Sequence, residues 1–213
     1  MIPAVAGRKL AEFNDVYCDD GYYTVEESRK ILERGLEFGL KVKIHTDAYS
    51  HVGGSVLAAD LKAVSADHMN YTDPSEYEGL RAAGVVCVVM PALDFAVGHH
   101  KPFNARAMLD ARITLALATD MCPGCWLESM PFVIQLACRS YGFSPAEAIR
   151  AATLNAAKAL DRGHRLGSLE AGKQADIAIF PHSRYEDMAY RLGRGRASTV
   201  VKNGAVVFDG NAS

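Results

Sequence analysis

The sequence lacks both a long apolar stretch and an excess of one charge. No run approaches the ~18 consecutive apolar residues that a transmembrane helix needs. With 23 Lys and Arg against 25 Asp and Glu, the formal net charge of −2 creates no overall field that would attract nucleic acid or an anionic membrane. The N-terminus also lacks the basic-then-apolar order of a signal peptide. We therefore expect a cytoplasmic protein with no membrane or nucleic-acid partner.

Cysteine is scarce and scattered, which excludes a disulfide scaffold. The chain has 5 cysteines in 213 residues, and with 49% hydrophobic residues it can bury a core without crosslinks. Cys122 and Cys125 form a C-x-x-C pattern, but no second such pair exists to complete a four-thiolate zinc site. We favour a loop shaped by the Pro123-Gly124 turn, and a redox dithiol at a helix start is the alternative.

The chain does contain a repeated alternation of short apolar runs and helical segments. Strand starts are predicted near residues 13, 41, 64, 85 and 114, at intervals of about 20 to 30 residues, which is typical of βα units in a parallel sheet. Capping boxes, in which an N-cap hydroxyl and a glutamate three residues later satisfy each other's backbone amides, predict helix starts at Thr24 and Ser144.

The predicted fold class is α/β, with part of a (β/α)8 TIM-like barrel over residues 1–166. Residues 167–213 change to turns, a strand and a hairpin around Asn203-Gly204, which predicts a segment of a small β-subdomain. A complete barrel takes roughly 250 residues and eight strands, so we expect this chain to be the C-terminal half and the rest to lie upstream of Met1. An open doubly wound sheet is disfavoured because no glycine-rich phosphate loop follows a strand.

Three of the apolar runs end in a side chain that can bind a metal: His45, His68 and Asp120. In a closed barrel the C-terminal ends of all strands meet at one rim, where catalytic groups lie. Two imidazoles and a carboxylate suit Zn²⁺ or Fe²⁺, and a catalytic metal takes about three protein ligands plus a water. The alternatives are hydrogen-bonded rim histidines, and a cap for the following helix at Asp120.

The remaining histidines and the one basic cluster carry less information. His99 and His100 lie in a loop that we expect at the surface or in a lid, whereas His51, His164 and His182 are expected to be structural. The basic cluster at 191–196 is expected to be a solvated loop rather than an anion site, because no aromatic residues are interleaved with it. No His-x-His pair occurs in the chain.

Several segments resemble the imidazolonepropionase family of the amidohydrolase superfamily. They are residues 43–47 (KIHTD), 63–68 (AVSADH), 118–120 (ATD) with Pro123-Gly124, 128–130 (ESM), 151–157 (AATLNAA) and 167–176 (GSLEAGKQAD). The resemblance covers essentially the whole chain, as the C-terminal half of the family's length. It implies an amidohydrolase-type barrel that hydrolyses the ring amide of 4-imidazolone-5-propanoate to N-formimidoyl-L-glutamate in histidine breakdown.

The resemblance also implies roles for individual residues. His45 and Asp120 match metal ligands for one divalent ion, Zn²⁺ or Fe²⁺, and Asp120 also matches a group that transfers protons. His68 matches the catalytic histidine near the attacking water. The loop after Asp120 matches the family's substrate loop, with substrate-binding positions at Cys122, Gly124 and Cys125. The substrate is a small molecule, and the full-length enzyme is expected to be a homodimer.

The chain departs from the family at three of these points. Ala48 stands where the family has a glutamate that contacts the ring, and Cys122 and Cys125 replace an asparagine and a serine. The family's upstream His-x-His ligands have no counterpart in these residues. Two further hypotheses therefore stay open: hydrolysis of another cyclic amide or a dipeptide, and a catalytically inactive remnant or assembly module.

Overall fold

The structure is a computed structural model that describes residues 1–210 of the chain. The helices are α1 (Ile2–Gly7), α2 (Val25–Glu37), α3 (Gly54–Asp60), α4 (Tyr77–Ala83), α5 (Pro91–Val97), α6 (Ala105–Asp110), α7 (Met130–Ser140), α8 (Pro145–Arg150), α9 (Ala156–Ala159) and α10 (Asp187–Tyr190). The strands are β1 (Phe13–Asn14), β2 (Tyr17–Cys18), β3 (Lys41–Thr46), β4 (Ser65–His68), β5 (Val86–Val89), β6 (Thr114–Leu117), β7 (Ile177–Ile179), β8 (Thr199–Lys202) and β9 (Ala205–Asp209).

Within the described residues, six strands form one parallel sheet in the order β1-β3-β4-β5-β6, and β2 also pairs with β3. All the predicted strands of this region are present, although the run at 13–18 is interrupted and forms two short strands. The register places His45 opposite Asp67 on β4 and opposite Tyr17 on β2. Parallel pairing thus brings the C-terminal ends of β2, β3 and β4 together, as the sequence predicts.

The central strands show why this sheet forms. On β3, Val42, Ile44 and Thr46 are buried, whereas Lys43 and His45 alternate with them and point to the opposite face. The strand β5 is buried along its whole length, as expected for a strand covered on both faces. The sheet therefore presents a polar row on one face of β3 while its other face packs into the core.

Local signals start and end the helices where the sequence predicts. Thr24 and Ser144 both form complete capping boxes with the glutamate three residues later. The helical segment after Asp73-Pro74 begins as a 3₁₀ turn, continues as α4 and ends at Gly84, whose φ of 74° is left-handed. The sequence analysis did not predict α1, α5 or the π-helical segment at Ala151–Asn155.

The C-terminal strands β7, β8 and β9 form a separate antiparallel sheet. The predicted hairpin is confirmed: β8 and β9 pair across Asn203 and Gly204, whose φ angles of 52° and 79° suit a two-residue turn. No helix within residues 1–210 is long and apolar enough to cross a membrane.

The chain divides into two compact units. The first comprises Met1–Val89 and Lys101–Leu115, and the second comprises Met90–His100 and the chain from Ala116 onward. The predicted boundary between barrel and β-subdomain at residue 166 concerns domain identity and stays a prediction.

Candidate active site

His45 and His68 lie together in the first unit, at the C-terminal ends of neighbouring parallel strands. Their ring centroids are 5.4 Å apart. The ring of Tyr17, at the end of β2, lies 6.3 Å from the ring of His45 and 6.1 Å from that of His68. The convergence of the two predicted histidines is confirmed, and Tyr17 is a third ring at this site that sequence analysis did not identify.

The two ring nitrogens of His45 have different surroundings. Nδ1 lies 3.1 Å from Oδ1 of Asp15, and Nε2 lies 3.9 Å from Oδ2 of Asp67. A histidine that binds a metal commonly donates its second ring N–H to a carboxylate, which selects the tautomer and orients the ring. Asp15 is placed to hold the ring of His45 in this way through Nδ1, while Nε2 faces Asp67.

Asp15 was missed because its partner is distant in sequence. The pair is separated by 30 residues, and Asp15 follows the two-residue strand β1 without any local motif. The parallel pairing of β2 with β3 brings it beside His45. The only sequence signal is an acidic residue inside a predicted strand, which is an unfavourable position unless a partner is present.

Asp67 continues the polar row of β3 onto β4. Ser65 donates to Oδ1 of Asp67 over 2.7 Å, Lys43 donates to Ser65, and Lys43 Nζ lies 4.0 Å from Oδ2 of Asp67. Burial raises the pKa of Asp67, while Lys43 and then His45 act to lower it. A positive charge, a hydroxyl and a buried acid therefore lie next to one another, and the acid lies 3.9 Å from Nε2 of His45.

The backbone at the end of β4 is held in an uncommon conformation. His68 and Met69 have φ angles of 82° and 65°, in the left-handed region that non-glycine residues seldom adopt. Each such residue costs on the order of 1–3 kcal/mol and persists where packing enforces it. Met69 is almost fully buried and its N–H donates to the carbonyl of Thr46 over 3.2 Å, so the turn that presents His68 is enforced by the core.

The loop after β3 is anchored by Asp19. Its Oδ2 accepts the backbone N–H groups of Ala48 and Tyr49 at 2.7 and 3.0 Å, and its Oδ1 accepts the hydroxyl of Ser50. Ala48 is 2% exposed. The position where the resembled family has a glutamate is therefore a buried, small side chain in a loop that another carboxylate holds.

Asp47, which precedes Ala48, is fully buried and engaged. Thr72 donates to its Oδ2 over 2.9 Å and the N–H of Val52 to its Oδ1 over 3.2 Å. Burial raises the pKa of Asp47, against the opposing effect of the hydrogen bond from Thr72. Asp47 therefore joins the loop after β3 to the loop after β4 through hydrogen bonds, and so stabilises both loops.

Asp120 and the substrate loop of the resembled family lie in the second unit. Asp120 is partly exposed and, like His68, has a left-handed φ, of 49°. The next helix, α7, is capped by Ser129 and begins at Met130. The alternative that Asp120 caps this helix is therefore wrong.

Cys122 and Cys125 are joined through their backbones. Each N–H donates to the other's carbonyl at 3.0 Å, which closes a tight turn over Pro123 and Gly124. Both thiols are free, and the pair does not begin a helix, which removes the structural argument for a thioredoxin-like pair. Burial, followed by the charges of Cys122 and Asp120, raises the pKa of Cys125.

The predicted site residues thus fall into two groups. His45 and His68 belong to the first unit, whereas Asp120, Cys122, Gly124 and Cys125 belong to the second. Among residues 1–210, no three His, Cys, Asp or Glu side chains cluster tightly enough to bind a metal by themselves. The donor chemistry of His45 fits a metal ligand, but the described residues do not supply a complete ligand set.

Comparison with known proteins gives the family. Residues 21–207 match the model of the amidohydrolase family. This chain belongs to the amidohydrolase family. It is 44% identical over 211 residues to the imidazolonepropionase of Shouchella clausii, which covers 99% of this chain and 47% of that protein. It is likewise 44% identical to the imidazolonepropionase of a Geobacillus species, strain WCH70, over 97% of this chain and 49% of that protein.

The curated relatives are longer than this chain, and the similar solved structures share less of its sequence. The chain spans about half the length of the curated relatives it matches. Solved structures are similar at lower identity: an adenosine deaminase from Xanthomonas campestris with bound zinc (23% identity, TM-score 0.75, 92% of this chain and 51% of that chain) and an ochratoxinase from A. niger (21%, TM-score 0.77, 98% and 55%). These structures establish the fold, and they confirm the predicted amidohydrolase-type α/β architecture.

Proposed function

We propose that this chain carries part of the active site of an imidazolonepropionase, which hydrolyses 4-imidazolone-5-propanoate to N-formimidoyl-L-glutamate in histidine degradation. The observation that supports this most strongly is the 44% identity to an imidazolonepropionase over 99% of the chain. The pairing of His45 and His68 at adjacent strand ends, 5.4 Å apart, is consistent with it.

The proposal assigns the metal to His45 and Asp120. His45 would bind through Nε2 while Asp15 holds Nδ1. A divalent cation there, Zn²⁺ or Fe²⁺, would act as a Lewis acid on the ring carbonyl and lower the pKa of the attacking water. The relatives are about twice as long as this chain, so the remaining ligands are proposed to come from a part of the enzyme that these 213 residues do not include.

Asp120 is proposed to transfer protons during the reaction, and His68 to orient the attacking water. Hydrolysis of a ring amide requires a base that takes a proton from the attacking water and an acid that protonates the departing nitrogen. The carboxylate of Asp120 would take the proton from the attacking water and then deliver the same proton to the departing nitrogen. The imidazole of His68 would orient the water and stabilise the developing negative charge, and its enforced backbone turn would hold it in place without further ordering.

The substrate itself would be held by the loop of Cys122, Gly124 and Cys125. The backbone-closed turn of this loop gives it a defined shape, while its two thiols are weaker hydrogen-bonding groups than an amide and a hydroxyl. Ala48, Cys122 and Cys125 therefore support a second candidate, hydrolysis of another cyclic amide or a dipeptide. The expected homodimer and cytoplasmic setting are part of the proposal.

The test is an assay of the intact enzyme that contains this chain, loaded with Zn²⁺ or Fe²⁺ in turn. We expect N-formimidoyl-L-glutamate by mass spectrometry, and a loss of kcat of about 10²–10⁴ in His68→Gln with the metal content unchanged. His164→Gln is the matched control, because His164 is outside the proposed site. A metal-loaded, folded enzyme that leaves imidazolone propanoate intact but opens other cyclic amides or cleaves dipeptides would establish the second candidate.

A further inference from the structure

The arginine-rich segment from Arg191 to Arg196, here termed the arginine loop, is held in a defined conformation by one buried side chain. Gln135 of α7 is 1% exposed. Its Nε2 donates to the carbonyls of Met188, Arg191 and Arg194 at 3.3, 3.0 and 3.0 Å, and its Oε1 accepts the N–H of Gly193 at 3.0 Å. The residues of the loop are mostly exposed, as the sequence predicts, but this clamp fixes the path of their backbone.

Close packing against α7 holds the same loop. A Cβ added to Gly195 would lie 2.2 Å from Cβ of Pro131, so only glycine permits this approach. The backbone N–H of Gly195 has no hydrogen-bond acceptor among the residues that the structure describes. The loop therefore combines a rigid backbone with an N–H group that is available to a ligand.

The arginine loop lines a cavity of about 330 Å³ in the second unit. The lining residues include Arg191, Arg194 and Arg196 together with His182, and none of the lining residues carries a carboxylate. Arg191 lies 4.0 Å from Asp187, and Arg196 lies over the ring of Phe208 at 5.6 Å. Arg194 makes no side-chain ion pair or hydrogen bond within residues 1–210.

His182 provides an independent sign that a ligand belongs here. Both of its ring nitrogens are buried, and neither has a hydrogen-bond partner among the described residues. Its ring stacks on Phe180 at 6.3 Å, so it is held in place while its polar atoms are unsatisfied. Buried polar groups in folded proteins are nearly always paired, and an exception calls for a partner that is not protein.

We propose that this cavity binds a phosphate dianion, either inorganic phosphate or the phosphoryl group of a monoester. Guanidinium groups pair with phosphate oxygens through charge-assisted hydrogen bonds. Of the three arginines in this lining, Arg191 alone is ion-paired with a carboxylate of the described residues, that of Asp187. The backbone N–H of Gly195 would donate to a remaining oxygen, and the buried ring N–H of His182 would do so once the loop admits the anion. The inference rests on the geometry of the second unit and is independent of the proposed hydrolase activity.

The experiment is calorimetric titration of the intact protein, at constant ionic strength in chloride, with inorganic phosphate and separately with glycerol phosphate. We expect saturable one-site binding that Arg194→Gln weakens by at least about tenfold, since a hydrogen bond to a charged group is lost. Arg184→Gln is the matched control: Arg184 is an exposed arginine that precedes the arginine loop and does not line the cavity, is paired with Glu186 at 3.0 Å, and its removal leaves the affinity unchanged. Stronger binding of the ester identifies a phosphomonoester as the ligand, and equal or weaker binding identifies free phosphate.

His182 provides a second readout that general charge effects would not move. In His182→Phe, which keeps the stacking on Phe180, affinity falls, and in the wild type the ¹⁵N shifts of the His182 ring respond to phosphate. Arg194 is exposed, so its variant keeps the wild-type fold, which circular dichroism verifies. The proposal is overturned if binding is unsaturable, is equal in Arg194→Gln, or disappears when metal is chelated, since phosphate would then occupy a metal centre.

Discussion

The substitution Asp15→Asn tests whether the carboxylate of Asp15 orients the ring of His45 for binding a metal. Asp15→Asn keeps the size of the side chain but replaces a full negative charge with an amide. The present contact, 3.1 Å from Oδ1 to Nδ1 of His45, is the geometry of a carboxylate that accepts the ring N–H. In the variant the amide presents either a weaker acceptor or a competing donor to that nitrogen.

The two possible roles of the Asp15–His45 contact, a surface ion pair or an orienting contact for a metal ligand, predict free-energy changes of different size. The side chains of His45 and Asp15 are 32% and 38% exposed, and an ordinary ion pair at such a site contributes about 0–1 kcal/mol to stability. A carboxylate that orients a metal-binding histidine contributes more, because its loss costs about 10- to 100-fold in metal affinity. That range corresponds to about 1.4–2.8 kcal/mol of binding free energy.

The assay is titration of the metal-free intact protein with Zn²⁺, or with Co²⁺ as a spectroscopic probe, in wild type and Asp15→Asn. We expect an affinity at least about tenfold lower in the variant and a Co²⁺ spectrum of altered intensity. Asp20→Asn is the control, because Asp20 is an exposed acid of the same segment that does not contact His45. Equal metal affinity in Asp15→Asn and wild type would refute the reasoning and leave the contact as a surface ion pair.

Three further predictions concern the framework around the site. Ser144→Ala removes one capping box and should lower the free energy of unfolding by about 1 kcal/mol, as measured in urea. Gln135→Leu leaves three backbone groups of the arginine loop and the carbonyl of Met188 without their partner and should speed amide hydrogen exchange at 191–194 while costing about 2–3 kcal/mol. Burial raises the pKa of Cys87 from 9.0 to about 12, so the unfolded chain loses this thiol proton first, and stability should fall as pH rises through that interval but not in Cys87→Val.

Each of these has a comparison that could contradict it. Ser183→Ala, at an exposed position outside any capping box, should leave stability unchanged; an equal loss would mean that the cap contributes nothing specific. Uniform exchange across the second unit in Gln135→Leu would indicate general unfolding instead of release of the loop. An unchanged pH dependence in Cys87→Val would show that Cys87 does not hold its proton in the folded state.

The sequence could predict features whose causes lie within a few residues. Capping boxes at Thr24 and Ser144 formed as predicted, because the N-cap and its glutamate are three positions apart. The strand ends that carry His45 and His68 were also predictable, since each apolar run stops at a polar residue and parallel strands end at the same edge. In these cases the residues that determine the structure are close together in the sequence, so the pattern is sufficient to predict it.

Features that depend on distant partners were not predictable. Asp15 meets His45 across 30 residues, and Gln135 reaches carbonyls 53 to 59 residues away. The burial of Ala48 follows from Asp19 holding its loop, and no pattern in either segment indicates this contact. The helix α5 was missed because its apolar residues sit beside a proline and a buried strand without a capping motif.

The sequence by itself therefore determined the βα alternation, the polar residues at the strand ends and the likeness to the imidazolonepropionases, because periodicity, capping and motif residues are local properties of the chain. Only the tertiary structure decided which carboxylate holds His45, which glutamine organises the arginine loop and which histidine is left with unsatisfied nitrogens. Those outcomes depend on strand pairing and packing between segments far apart in the chain, where free energy is set by burial and by hydrogen bonds that no single segment contains.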